Sequence, residues 1–264
     1  MFIKKFNKLL PFKVISKNKY KFINRDNRFK KWKIYNSFNT KDKKIFSNDF
    51  INYSFSQLGQ DFIALALSEV KKSGFFVEFG ACDGMRHSNT FSLEKVFNWN
   101  VILAEPAKIW RDSLLLNRNC LIDTRCVYSK SNSKLPFLEV KKDKNISYGA
   151  SSLLEFANNG DWASNLRLKN NNQYEVKTIS LNDLLEEYNA PKKIDFMSID
   201  TEGSELEIIE KFNFEKYKIR FLCIEHNFVN PIKKKLDLIL KKNGYRQIYK
   251  KFSEFDYWYV YDNF

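Results

Sequence analysis

A chain of 264 residues can bury a full core as one domain with an appendage, and 25 Phe, 13 Tyr and 5 Trp exclude an intrinsically disordered polypeptide. The formal net charge of +14 sits mostly at one end: residues 1–50 hold 15 Lys/Arg against 3 acidic residues, and residues 51–264 hold 30 against 28. The body is therefore close to neutral, and the sequence pI of 9.4 describes its leader.

That leader, residues 1–50, interleaves bases with Phe2, Phe6, Leu9, Leu10, Phe12, Phe22, Phe29 and Trp32. It lacks the unbroken apolar run of a secretory signal or a membrane span. Two readings follow: a basic extension packed on the domain, or an arm drawn to an anionic surface, either lipid headgroups or a pyrophosphate-linked substrate. Aromatics among bases also suit stacking on nucleic acid, the disfavoured partner of the three. Four cysteines without C-x-x-C spacing read as buried thiols of a reducing cytoplasm, and the two histidines, His87 and His226, lack zinc-ligand spacing.

From Ser56 the punctuation becomes regular. A helical pattern through Phe62, Leu65, Ala66 and Val70 stops at Gly74, and Phe75–Phe79 reads as a strand. Ser88-Asn89-Thr90 opens a helix carrying Phe91, Leu93, Val96 and Phe97. Asn100–Ala104 is a second strand, followed by a helix from Ala107 to Asn117 and an apolar run over Cys120–Tyr128. The stretch containing Gly149, Ser151-Ser152, Gly160 and the Asn run 170–172 reads as a loop insertion. Order returns at Tyr174–Ile179, and Ser180 begins a short helix that ends before Pro191. Strands Ile194–Ile199 and Phe221–Glu225 flank a helix Glu205–Phe212, and a basic helix over 231–242 stops at Asn243-Gly244. Tyr245–Tyr249 and Tyr257–Tyr261 close the chain as an antiparallel pair. The alternation predicts an α/β doubly wound sheet over residues 51–264, mostly parallel with an antiparallel terminal hairpin.

In such a sheet ligands bind beyond the carboxyl ends of the strands, and polar clusters stand at four of those ends. They are Glu78 with Gly80 and Asp83; Glu105; Asp200 with Glu202; and Glu225 with His226 and Asn227. One acidic residue after an apolar run is readily a solvated terminus or a helix cap, but four converging clusters point to a crevice. Gly80-x-x-x-Gly84 lacks the third glycine of the pyrophosphate fingerprint, which shifts the expected nucleoside from NAD to S-adenosylmethionine (SAM). Glu105 suits the ribose hydroxyls, and Glu78 and Asp83 suit the amino group of the methionine moiety. The N–H groups of Ala81–Gly84 and the Ser88-Asn89 helix start suit its carboxylate. Transfer to a hydroxyl needs a base, for which His226, Glu202 and Asp200 are candidates; a divalent cation, Mg or Mn, on Asp200, Glu202 and Glu225 would do the same work.

These residues resemble the FkbM family of SAM-dependent methyltransferases. The matching motifs are Ser56-Gln57-x-Gly59-Gln60-Asp61, Val77-Glu78-Phe79-Gly80-Ala81-x-Asp83-Gly84, Ser88-Asn89-Thr90, Ile102-Leu103-Ala104-Glu105-Pro106 behind Trp99, Asn117-Arg118, and Ile199-Asp200-Thr201-Glu202-Gly203-Ser204-Glu205. The resemblance covers about residues 54–228 and implies a class I methyltransferase Rossmann-like fold, SAM as cofactor, and O-methylation of sugars in bacterial surface glycans or of natural products. It adds Gln57 and Asp61 to the expected cofactor-binding residues. The expected acceptor is a nucleotide sugar, surface glycan or glycolipid, met in the cytoplasm or, through residues 1–50, at the inner membrane surface. A nicotinamide oxidoreductase would share the fold but needs the missing third glycine. A glycosyltransferase needs a D-x-D motif after a strand, and a nucleic-acid amine methyltransferase an Asn/Asp-Pro-Pro-aromatic turn. Neither is present. A module that binds SAM or a glycan without turnover is the non-enzymatic alternative.

Overall fold

The structure, a computed structural model, describes residues 28–37, 54–141 and 149–264. The rest of the expected leader lies outside the described residues. Its one described element, α1 (Arg28–Ser37), packs on the domain: Ile34 is buried with Leu58 and Phe62, and Lys31 donates to the Ser54 carbonyl at 3.0 Å.

In chain order the body holds α2 (Gln60–Leu67), β1 (Phe75–Phe79), α3 (Phe91–Phe97), β2 (Asn100–Ala104), α4 (Arg111–Asn117) and β3 (Leu121–Asp123). Then come β4 (Cys126–Tyr128), β5 (Lys134–Val140), β6 (Ser152–Leu153), α5 (Ser164–Lys169), β7 (Asn171–Ser180) and α6 (Leu181–Glu187). β8 (Lys193–Ile199), α7 (Glu205–Lys211), β9 (Lys218–Glu225), α8 (Asn230–Lys242), β10 (Tyr245–Gln247) and β11 (Asp256–Tyr261) complete it.

Seven strands form the central sheet in the order β10-β11-β9-β8-β1-β2-β3. β3, β2, β1, β8 and β9 are parallel; β11 runs antiparallel to both β9 and β10, so the terminal hairpin is present as expected. The parallel strands are apolar runs because both faces are covered. Phe76, Phe196 and Phe221 point into one core with Ile63, Leu93 and Trp99, and Val77, Met197 and Leu222 into the other with Leu184, Ile209 and Leu236. From β1 the chain builds outward first through β2 and β3, then on the other side through β8 and β9. The order reverses between β1 and β8, where a crevice must open.

Two expectations change. The apolar run 120–128 divides into β3 and β4, which belong to different sheets. The expected loop insertion is largely a second, four-stranded sheet, β4-β7-β5-β6, with β5 and β7 paired from Lys134↔Lys177 to Val140↔Asn171. Its core is small, with Phe137, Leu153 and Val176 packed against Trp110. Among the described residues no helix is long and apolar enough to cross a membrane.

Candidate active site

At the switch point the turn after β1 touches the turn after β8. Gly80 adopts φ +72°, and a Cβ placed there would lie 1.9 Å from the Asp200 carbonyl oxygen, so only glycine fits. Beside it Glu105, buried at the end of β2, accepts from the N–H of Cys82 at 2.8 Å and of Ala107 at 2.8 Å, binding the turn after β1 to the turn after β2. Burial pushes the Glu105 carboxyl up to about 7, against the pull of those two N–H groups and with a further push from Glu139. Each of its oxygens keeps a second lone pair for a ligand hydroxyl.

The crevice that opens here encloses about 540 Å³ and is lined by Gln57, Glu78, Gly80, Ala81, Ser88, Asn89, Glu105, Asp200, Glu202 and Glu225 among the residues expected at the site. Four expected residues do not line it: Asp61, Asp83, Gly84 and His226. Asp61 accepts from the Ser54 and Ser56 hydroxyls at 2.7 and 2.6 Å and fixes the start of α2. Asp83 closes its own turn by accepting from the N–H groups of Met85 and Arg86, and Gly84 lies under Leu114 and Arg118. Glu78 lines the crevice, but its carboxylate is engaged by the Asn89 N–H at 2.8 Å, the Ser88 and Thr90 hydroxyls, and Arg118 at 3.6 Å. It therefore holds the 88–90 helix start in place, a supporting position where contact with the methionine amine, directly or through water, was expected.

Across from Glu105 stand three carboxylates. One ligand oxygen from each of Asp200, Glu202 and Glu225 lies within 4.8 Å of the others. Burial raises all three; Asp200, which shares a hydrogen bond with Glu225, reaches about 8, and the mutual repulsion of the triad raises Glu202 and Glu225 further. Arg167, which is fully buried, is the counter-charge. It meets Glu202 at 2.5 Å, forks onto Asp161 at 3.0 and 2.7 Å, and donates to the Ala150 carbonyl at 2.7 Å. That clamp fastens the inserted segment over the turn after β8. Asp200 is no helix cap: Ser204 stands at the start of α7, and Glu205 takes the N–H groups of Thr201 and Gly203.

His226 does not reach the crevice. Its Nδ1 accepts from the Phe228 N–H at 3.1 Å, its ring packs edge-on against Tyr257 at 4.5 Å, and burial, with Lys233 nearby, lowers it to about 4. The alternation at the end of β9 sends Glu225 inward and turns the next side chain away. It is a neutral structural group, and the expectation of His226 as base is withdrawn on that geometry. The lining also holds Asn227, from the expected cluster after β9, and residues that sequence reading did not mark: Arg86 and His87, Trp110, Asp161 and Trp162 of the insertion, Phe228 and Asp256. Arg86 and His87 were legible by place, between Gly84 and Ser88; the rest come from segments without a motif.

A doubly wound sheet of this strand order, with a glycine turn after β1 and an acidic residue closing β2, defines a Rossmann-like α/β protein of the class I methyltransferase architecture. The description "Methyltransferase FkbM domain" matches residues 78–247, and the chain belongs to that family of methyltransferases. Curated protein sequences give no significant match. Among solved structures the chain is similar to precorrin-6y C5,15-methyltransferase from Geobacter metallireducens GS-15, with 12% identity, 83% of this chain and 90% of that chain covered, and a TM-score of 0.38.

Proposed function

We propose that this methyltransferase is SAM-dependent and methylates a hydroxyl of a sugar-containing acceptor, a nucleotide sugar, surface glycan or glycolipid. The observation that carries the reading is the placement of Glu105 and the Asp200/Glu202/Glu225 triad in one crevice at the sheet's switch point. The crevice volume lies within the roughly 300–1,000 Å³ usual for cofactor sites, and Glu105 retains acceptor capacity for the two ribose hydroxyls. Gln57, Ala81 and Asn89 line the same part of the crevice. Bound there, SAM supplies an electrophilic methyl group.

The triad's part is to take the hydroxyl proton. Asp200, at about 8, is close to working pH, where a carboxylate both accepts a proton and releases it again. Arg167 pairs with Glu202 beside it and offsets part of the rise that burial and Asp200 impose on that carboxyl. The same three hard oxygens form a donor set suited to Mg or Mn, which would lower the hydroxyl's own pKa. Residues 1–50 extend the reading: their charge would draw the enzyme to an anionic membrane surface or substrate, at about 1 kcal/mol per engaged base.

The test is product mass after incubation with methyl-labelled SAM and a panel of nucleotide sugars, glycans and glycolipids, with and without EDTA, Mg and Mn. The expected product carries one additional methyl on oxygen; activity that survives EDTA assigns the proton to the triad alone. Absence of SAM binding, or methylation confined to nitrogen or carbon, overturns the proposal. Co-sedimentation with anionic liposomes, lost at high salt, tests the leader.

A further inference from the structure

Two large aromatic side chains stand exposed on the crevice lining, Trp162 at 57% and Phe228 at 62%. Both are expensive to hold there. Phe228 adopts φ +61° directly after Asn227 at +42°, a backbone region that bulky residues avoid. The turn is pinned at each step: His226 and Asn227 donate to the Phe255 carbonyl, Val229 donates to the His226 carbonyl at 2.8 Å, and Phe228 donates to His226 Nδ1. Trp162 follows Asp161, which the buried Arg167 fork fixes to Glu202. Two separate polar devices thus present an apolar face to the same opening, and exposed apolar surface at a crevice marks a binding surface.

The charge beneath these rings is one-sided. Carboxyl groups run from Glu78 and Glu105 round to Asp200, Glu202, Glu225 and Asp256; Arg86 is the one Arg or Lys in the lining among the described residues, and Lys233 stands 5.9 Å from the Phe228 ring centroid without lining the crevice. Arg118 answers Glu78 and Arg167 answers Glu202, which leaves Glu105, Asp200, Glu225 and Asp256 without a paired cation. Gln60 donates to Asp256 at 2.9 Å and Asn227 to Glu225 at 2.7 Å, both neutral partners. An ionised phosphate entering this lining finds Arg86 alone to balance it, whereas hydroxyl groups find hydrogen-bond partners throughout. The C–H face of a pyranose is apolar and slightly positive, the complement of an aromatic ring face.

We infer that Trp162 and Phe228 are the specificity platform for an uncharged pyranose ring, and that the cation-poor lining keeps any phosphate of the acceptor outside the crevice. The inference rests on the sugar-methylating reading and narrows it: the ring that receives the methyl is not itself phosphorylated or directly phosphate-linked.

Saturation-transfer NMR on the full-length protein, with S-adenosylhomocysteine present, tests it using methyl pyranosides and the matching pyranosyl 1-phosphates. The expected result is binding of at least one methyl pyranoside, with its 1-phosphate at least tenfold weaker. Trp162→Ala and Phe228→Ala should each weaken it at least fivefold, and Trp162→Phe and Phe228→Tyr should restore most of the loss. Equal or tighter binding of the 1-phosphates, indifference to both alanine variants, or no response to any pyranoside overturns the inference. Failure of the methyltransferase reading itself shows separately, as absence of SAM binding to the unaltered protein in calorimetry.

Discussion

Glu105 joins two turns through two backbone N–H groups and still faces the crevice, so its ionisation is shared between fold and ligand. Only the carboxylate accepts from hydroxyls at full strength, so SAM affinity should fall as pH drops below about 7, where the free protein takes up the proton. Glu105→Gln, which keeps the shape, should cost roughly 1.5–3 kcal/mol of SAM binding in calorimetry. For the base the sign is the same: turnover requires ionised Asp200, so the rate should climb as pH rises through about 8. That rise should persist in His226→Ala and vanish in Asp200→Asn, with kcat falling about a hundredfold or more in the latter.

The element that decides access is the inserted sheet, and Arg167 is its fastening. Removing a guanidinium that serves two carboxylates leaves Asp161 and Glu202 buried and unpaired. Arg167→Met should therefore destabilise the protein by about 3–5 kcal/mol in urea unfolding, and Arg167→Lys should recover only part because it cannot fork. This element was the least legible in the sequence. The strands of the central sheet declare themselves as mostly apolar runs broken by single polar residues, Glu78 in Phe75–Phe79 and Asp195 and Ser198 in Ile194–Ile199, because both faces are covered. β5 is half-covered, carries Pro136 and alternates too loosely to stand out from a loop, while β7 opens on Asn-Asn-Gln, so that only its later part, Tyr174–Ile179, reads as ordered. Glu105 and Asp200 were legible because each closes such a run. Arg167 was not, since its partner Glu202 lies 35 residues away and nothing local marks the pair. His226 misled for a related reason: a polar residue beside a strand end reads the same whether it faces the crevice or turns behind it.

At the scale of the whole molecule the crevice is a store of proton affinity. Glu105 at about 7 and Asp200 at about 8 both lie above their unfolded values. Through that interval the folded chain binds more protons than the unfolded one, and stability must fall as pH rises. His226, lowered to about 4, pulls the other way only below its ordinary value of 6.5, and Lys31, lowered to about 8, only above that. Ligand-free protein should accordingly lose stability between pH 6.5 and 8, measured by urea unfolding, with Glu202 and Glu225, raised by burial and repulsion, adding to the loss. A flat profile would mean that the folded chain holds protons on these carboxyls no more firmly than the unfolded chain does.

The rim of the crevice also depends on the strand that joins the sheet from farthest away. Phe255 and Asp256, at the start of β11, hold the 226–227 turn through the Phe255 carbonyl and reach Gln60 across a separation of 196 residues. Contacts of such span form late in folding, because the loop they close must be ordered first. Acceptor recognition should therefore be the last property a refolding chain acquires, after the turn that Glu105 ties to Cys82, 23 residues away, has already set. In a stopped-flow refolding experiment a nucleoside would find its place before a sugar could, and a chain nicked before residue 255 would hold the first without admitting the second.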